Sequence, residues 1–357
     1  MQLSKPEIVS IYWIIISQPR VIDKLILHAI STLKKMLRDL SILVTGGAGF
    51  IGSHLAERLI EANQVTVFDN FSSGKIEHIA HLQSKDNFSL KEADLFDKHA
   101  LEEALADKDL VFHLAANPDV KLGAQDTQIH LQQNVLATFN LLEAMRKVGV
   151  NKISFTSTST VYGEAKIVPT PENYGPLKPI SLYGASKLAC EAMISSYCHT
   201  FDMKSWIFRF ANIVGERGTH GVLVDFINKL KKNPAVLEIL GSGRQLKSYL
   251  DVRDCVDAMI YAVEKSSDQT NIFNIGSVDA VDVTEIADIV VDGMGLSGVK
   301  YQYTGGFGGR GWRGDVKVMQ LSIDSIRSLG WSPKKNSRES IKSAVDDLLR
   351  DLTQSKS

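Results

Sequence analysis

From Ser41 onward, short apolar runs alternate with longer segments whose apolar residues recur at helical spacing. The runs Ser41–Thr45, Gln64–Phe68, Asn87–Leu90, Asp109–Ala115, Lys152–Ser157 and Lys204–Phe210 carry closely spaced apolar residues and read as buried strands. Between them Ile51–Ala62, Ala100–Ala106, Gln132–Val148 and Leu182–Phe201 read as helices. Repetition of strand, helix and strand predicts a parallel sheet covered on both faces, because parallel strands need long crossovers and helices usually supply them. After Asn212 the order loosens. Val222–Lys231 and Asp254–Lys265 read as helices, Leu237–Leu240 and Ser248–Val252 as short strands, and Gly305–Gly314 as a glycine-rich loop. The expected organisation is an extension over 1–40, a main part over 41–212, and a smaller α/β cap over 213–357, some of whose segments return to the main part.

The segment "VTGGAGFIG", Val44 to Gly52, follows the first strand and opens the first helix, with glycines at Gly46, Gly49 and Gly52. Such a turn lets backbone approach a pyrophosphate closely and aims a helix N-terminus, whose free N–H groups include those of Phe50 and Ile51, at the anion. Asp69 closes the second strand about 20 residues further on, with Asn70 beside it; a carboxylate there binds both ribose hydroxyls and repels a 2′-phosphate. Together they predict a Rossmann-type doubly wound sheet that binds a dinucleotide, NAD rather than NADP.

In "SLYGASK", Tyr183 and Lys187 stand four residues apart and share a helix face. A phenol acting as a base near neutrality needs its pKa lowered by about 3 units, roughly 4 kcal/mol. An ammonium about 6 Å away at an effective dielectric of 20 contributes roughly 2.8 kcal/mol, and a positive nicotinamide supplies the rest. On its own the pair reads as an ordinary helix surface; behind a dinucleotide loop it reads as a catalytic pair. The hydroxyls of "FTSTSTVYG", Phe155 to Gly163, end the predicted fifth strand, at the edge where open parallel sheets bind ligands.

The motifs "TGGAGFIG", "HLAA", "FTSTSTVYG" and "YGASK", in this order and at these separations, resemble the extended short-chain dehydrogenase/reductase family and, within it, the nucleotide-sugar epimerases. The resemblance covers about Ser41 to Leu352. It implies that Tyr183 is the general base and acid, that Lys187 lowers its pKa and holds the nicotinamide ribose, and that Thr158 hydrogen-bonds the reacting oxygen. It also implies cofactor contacts at Asp94 and Leu95 on the adenine side, at the strand end Leu114, Ala115 and Ala116, and at Asn134 and Thr156. Dehydratases and decarboxylases that resemble this chain carry an acid just before "VYG"; here Ser159 and Thr160 stand there and cannot ionise usefully. The resemblance therefore implies reversible oxidation alone: epimerisation at C4 of a UDP-linked glucose or galactose, or an N-acetyl derivative, through a transient 4-keto sugar. A UDP-glucuronate 4-epimerase, a keto-sugar reductase and a non-catalytic NAD sensor are the alternatives.

By the same resemblance Asn212 in "RFANIVG" binds substrate, and Lys247 in "GSGRQLKSYLDV" contacts phosphate where arginine is usual, keeping the charge but losing the bidentate fork. In "GGRGWRGDV", Trp312 stands where many epimerases place the arginine of R-x-G-D, so Arg310 or Arg313 is the expected diphosphate clamp. A homodimer through the helices spanning Gln132–Val148 and Leu182–Phe201 is expected.

Composition narrows the classes further. A chain of 357 residues with net charge −1 has no overall field to draw it to nucleic acid, and "LKKMLRDL" and "GGFGGRGWRG" are too short to supply one. Three cysteines without C-x-x-C spacing indicate neither a disulfide framework nor a metal site, and suggest a cytoplasmic protein. The apolar run Ile8–Ile16 is nine residues long, against the roughly 20 that span a bilayer, so no integral membrane association is expected. The basic amphipathic segment after it suits a membrane surface or the protein body. Met36, from which "MLRDLSILVTGG" runs directly into the first strand, is an alternative natural start.

Overall fold

The computed structural model describes residues 37–354; the run Ile8–Ile16, the basic segment after it and Met36 lie outside the described residues. The first six strands are β1 (Ser41–Thr45), β2 (Gln64–Asp69), β3 (Phe88–Glu92), β4 (Leu110–His113), β5 (Lys152–Thr158) and β6 (Lys204–Phe210). They are crossed by α1 (Phe50–Leu59), α2 (Lys98–Leu105), α3 (Ala137–Val148) and α4 (Leu182–Phe201). The cap half supplies β7 (Asn212–Val214), β8 (Val236–Ile239), β9 (Leu246–Lys247), β10 (Tyr249–Asp251), β11 (Thr270–Ile275), β12 (Val281–Asp282), β13 (Lys300–Tyr303) and β14 (Val318–Met319). Its helices are α5 (Val222–Lys232), α6 (Val252–Lys265), α7 (Val283–Gly293), α8 (Asp324–Ser328) and α9 (Ser337–Gln354).

The central sheet has seven strands in the order β11-β6-β5-β4-β1-β2-β3, every pair parallel. The order reverses between β1 and β4. That switch point opens a crevice at the carboxyl ends of the strands, where such sheets take ligands. Leu43, Val111, Ile153, Phe155 and Ile207 are fully or almost fully buried, so the strands that flank the crevice are fixed by packing on both faces. The cap has its own core, in which Phe226, Ile227, Leu237, Ile239, Ile286 and Val345 are buried around small sheets such as β8 with β13.

Several boundaries differ from the sequence expectation for physical reasons. Asn87–Leu90 reads as a buried strand, but β3 runs from Phe88 to Glu92 at the sheet edge and is half exposed. α2 starts at Lys98 because the Asp97 carboxylate accepts the Ala100 N–H at 3.0 Å. The helix expected from Gln132 begins as a π turn, Leu131–Leu136, before α3. The seventh strand, β11, comes from the cap half and closes the sheet against β6.

Candidate active site

The glycine loop is shaped by contacts that leave no room for a side chain. Gly46 has φ +69°, and a Cβ there would lie 2.6 Å from the Ala115 nitrogen; one on Gly52 would lie 2.1 Å from the Gly46 carbonyl oxygen. Leu114 and Ala115 therefore back directly onto the loop, with Leu114 N–H donating to Thr45 O at 3.0 Å and Ala116 next in the chain. Gly49 begins α1 with no side-chain cap, so the first-turn N–H groups of Phe50, Ile51 and Gly52 have neither intrahelical nor side-chain acceptors. This uncapped end and its glycine cradle fit the pyrophosphate of NAD.

Asp69 ends β2 with both oxygens engaged: Oδ2 accepts the Ala48 N–H at 2.9 Å and Oδ1 the Phe71 N–H at 2.9 Å. Burial pushes its carboxyl pKa up, and these two bonds act against the rise. Each oxygen retains a lone pair for a ribose hydroxyl. Asn70 donates to Asp94 Oδ2 at 2.6 Å, and Asp94 Oδ1 accepts the Phe96 N–H at 3.0 Å, so Asn70, Asp94 and the buried Leu95 line one side of the same crevice end.

α4 begins at Ser181, whose Oγ accepts the Gly184 N–H at 3.1 Å, and this places Tyr183 in the first turn. Gly184 is required there because a Cβ would meet the Thr160 carbonyl oxygen at 2.8 Å. Thr158, which ends β5 and accepts the Thr160 N–H at 3.2 Å, works against the rise of the Tyr183 phenol. Lys187, one turn on, donates to the Thr156 carbonyl at 2.9 Å and lies 4.7 Å over the Phe155 ring. Asn134, buried in the π turn, donates to Ser186 Oγ at 2.9 Å and accepts the Asn117 N–H at 2.8 Å. The structure thus gathers Thr156, Thr158, Tyr183, Lys187 and Asn134 around one end of β5.

The electrostatics differ from the sequence expectation. Burial dominates Tyr183 and pushes its phenol up to about 12, with the Thr158 hydrogen bond opposing it. Burial also pulls Lys187 down to about 8. Loss of solvent, rather than the expected lowering by the ammonium, governs the phenol here. His113, wholly buried between Thr45 Oγ1 at 2.7 Å and Thr138 Oγ1 at 3.0 Å, is pulled down to about 3 and is a neutral strut.

The cap residues separate. Asn212 donates to the Ser248 carbonyl at 3.1 Å. Lys247 is paired with the buried Asp315 at 2.5 Å and lies 5.4 Å from the Trp312 ring centre, whose other close cation is Lys121 at 4.6 Å. Arg310 forms an ion pair with Glu164. Arg313 is exposed and lies 5.0 Å over the Phe307 ring; among the described residues no carboxylate pairs with it. The loop reaches α4, since a Cβ on Gly314 would lie 3.1 Å from the Ile180 carbonyl oxygen.

Sequence reasoning missed His130, whose ring packs edge-on against Tyr183 with centroids 5.6 Å apart. It also missed Ser157, Glu191 and Arg209, which form a buried polar cluster behind β5. Glu191 follows Lys187 by four residues, the same spacing that joins Tyr183 to Lys187, and that repeat was the available signal.

The uncapped glycine cradle and the Thr158, Tyr183 and Lys187 cluster define a dinucleotide-binding site of the short-chain dehydrogenase/reductase type. The chain belongs to the NAD dependent epimerase/dehydratase family, whose model matches residues 42–276. A putative UDP-glucose 4-epimerase from Methanocaldococcus jannaschii is 35% identical over 311 residues, 85% of this chain and 97% of the relative. A crystal structure of a UDP-galactose 4-epimerase is 42% identical, with TM-score 0.78, covering 88% of this chain and all of that one. A UDP-glucuronic acid 4-epimerase from Bacillus cereus, in complex with UDP-glucuronic acid and NAD, is 27% identical with TM-score 0.79 over 87% of this chain and 99% of that one.

Proposed function

We propose that the protein is an NAD-dependent 4-epimerase that interconverts UDP-glucose and UDP-galactose, or their N-acetyl derivatives. The observation that carries this is the gathering of Tyr183 and Lys187 at the end of β5 beside Thr158, on a turn whose next two residues, Ser159 and Thr160, cannot ionise. The glycine cradle, Asp69 and Lys187 hold NAD, which supplies a reversible hydride acceptor. Tyr183 Oη takes the proton of the sugar C4 hydroxyl and later returns it to the epimeric oxygen. Thr158 Oγ1 holds that oxygen throughout, and the absence of an acid beside it leaves the transient 4-keto sugar without help to eliminate or decarboxylate. The test is incubation with UDP-galactose, UDP-N-acetylgalactosamine and UDP-glucuronate without added NAD, with products resolved by chromatography. Conversion of either of the first two supports the reading; conversion of UDP-glucuronate alone, or of none, overturns it.

Arg313, with its guanidinium held only by a ring, suits the diphosphate better than Arg310, which is tied to Glu164. Arg313→Ala is expected to weaken UDP binding about tenfold, the scale of one charge-assisted contact, while Arg310→Ala changes it by less than about twofold. Calorimetric titration with UDP decides; the reverse ranking assigns the clamp to Arg310.

The reading includes a cytoplasmic homodimer. All three cysteines are free and buried, which suits a reducing compartment. The π turn, α3 and α4 expose Leu131 (53%), Phe139 (41%), Leu182 (45%) and Phe201 (43%), an apolar share that supports a helical dimer face. Phe139→Asp is expected to shift the protein to monomer in sedimentation velocity; an unchanged sedimentation coefficient removes this face from the interface. Among the described residues no helix is long and apolar enough to cross a membrane.

A further inference from the structure

The cluster behind β5 joins three elements around one carboxylate. Glu191 on α4 is paired with Arg209 on β6 at 2.8 Å, both side chains being almost fully buried. Ser157 on β5 donates its hydroxyl to the other Glu191 oxygen. Arg209 further donates to the Tyr162 hydroxyl at 2.9 Å and the Glu172 carbonyl at 3.0 Å, and Tyr162 donates to Asn274 on β11 at 2.7 Å. Every donor aimed at Glu191 is therefore anchored in the sheet or in the loop after β5.

We propose that Glu191 is a positioning residue for the epimerase reaction: pinned by Arg209, it holds Ser157 and thereby the adjoining Thr158 against Tyr183, and it sets a carboxylate one turn from Lys187. The inference rests on the epimerase reading above. Its geometry follows from sequence spacing, since Tyr183, Lys187 and Glu191 occupy successive turns of α4, while Ser157 and Thr158 are consecutive on β5. Consecutive strand residues point to opposite faces. Ser157 can thus be held from behind while Thr158 faces the crevice.

The electrostatic part concerns the proton on Lys187. The groups around it are Thr156 O and the Phe155 ring from β5 and neutral His113 from β4. His130 contributes from the π turn, and Cys190, Glu191 and Tyr183 from α4 itself. Burial pulls Lys187 down to about 8, and the Glu191 charge works against that fall. Neutralising Glu191 leaves the Arg209 cation uncompensated and lowers Lys187 further, so the ammonium is lost at a lower pH.

The test uses the full protein and three variants, Ser157→Ala, Glu191→Gln and Glu191→Asp. Epimerisation of UDP-galactose and the affinity for NAD are measured from about pH 6 to about pH 10, the range that brackets a shifted lysine. Ser157→Ala keeps the ion pair and is expected to lose about tenfold in kcat with KM within about twofold, the scale of one lost hydrogen bond to a charged group. Glu191→Gln is expected to move the levelling-off of kcat and the alkaline fall of NAD affinity to lower pH by about one unit, and Glu191→Asp to return most of the shift. Superimposable pH profiles for Glu191→Gln and wild type, or an unchanged kcat in Ser157→Ala, overturn the inference. If Glu191→Gln fails to fold, the Ser157→Ala kinetics decide alone. A wild-type protein that converts no UDP-sugar refutes the epimerase reading instead, and the NAD titrations, which need no sugar, still decide whether Glu191 controls Lys187.

Discussion

Tyr183→Phe is expected to fold as the wild type does, bind NAD with unchanged affinity and lose turnover by about 10³-fold, within the range for removal of a general acid and base. The substitution keeps the ring that packs edge-on against His130 at 5.6 Å, and it leaves the start of α4 on its Ser181 cap. Only the hydroxyl goes. Thr158 then keeps its bond from the Thr160 N–H at 3.2 Å, so the loss falls on proton transfer rather than on the shape of the turn. The pH profile carries a second check. With the phenol pushed up to about 12, the fraction of base rises as pH rises, whereas Lys187, pulled down to about 8, loses its ammonium over the alkaline range. Wild-type turnover is therefore expected to rise with pH up to about 8 and to level off above it, where gain of phenolate and loss of ammonium cancel, and the rising limb is expected to vanish in Tyr183→Phe. Steady-state rates on UDP-galactose, with NAD binding measured by calorimetry, separate the two effects. Retained turnover would remove Tyr183 from the mechanism.

The half of the fold that holds this site was the readable half. β1, β2, β5 and β6 are buried on both faces and carry closely spaced apolar residues between helical segments, so their place in the pattern marks them, and the glycines of the first turn follow from backbone crowding that no other residue tolerates. β11 was not readable in the same way. Its sequence, TNIFNI, shows neither an apolar run nor an alternation, because Asn271 and Asn274 are buried in it with their amides bonded to the Ser205 and Thr170 carbonyls, and its place beside β6 depends on a chain reversal through the cap. Strands of two residues, such as β9 and β14, are shorter than any period that a sequence pattern can express. The π turn that brings Asn134 to Ser186 adds one residue to a helical turn and leaves the apolar pattern of that helix unchanged. At the site, the helical spacing of Tyr183 and Lys187 could be read from local sequence. The partners that fix the cap could not: Glu164 reaches Arg310 from 146 positions away, and Asp315 reaches Lys247 from 68. The first exists only after the Arg310 loop has packed beside the turn after β5, and the second only after β9 has paired with β14.

Gly46→Ala is expected to abolish NAD binding and to lower the melting temperature by roughly 5 °C. The backbone at Gly46 has φ +69°, a region that costs a residue with a Cβ about 1–2 kcal/mol. The added Cβ would also lie 2.6 Å from the Ala115 nitrogen and 2.8 Å from its Cα. Both are backbone atoms, so no rotamer relieves the contact, and the ends of β1 and β4 must separate at a further cost of about 1–3 kcal/mol. The sum, about 2–5 kcal/mol, corresponds to roughly 5 °C at about 1.5 °C per kcal/mol for a chain of this size. The same separation displaces the loop whose free N–H groups are proposed to receive the pyrophosphate. Gly149 is the control, because it has φ +86° but an added Cβ meets nothing within 4 Å. Gly149→Ala is therefore expected to lose only the conformational share, about 1–2 kcal/mol, and to bind NAD normally. Thermal unfolding and calorimetric titration with NAD compare the two. If Gly46→Ala matches Gly149→Ala in both measurements, the close approach of Ala115 does not shape the cradle, and the phosphate-binding assignment of this loop loses its geometric basis.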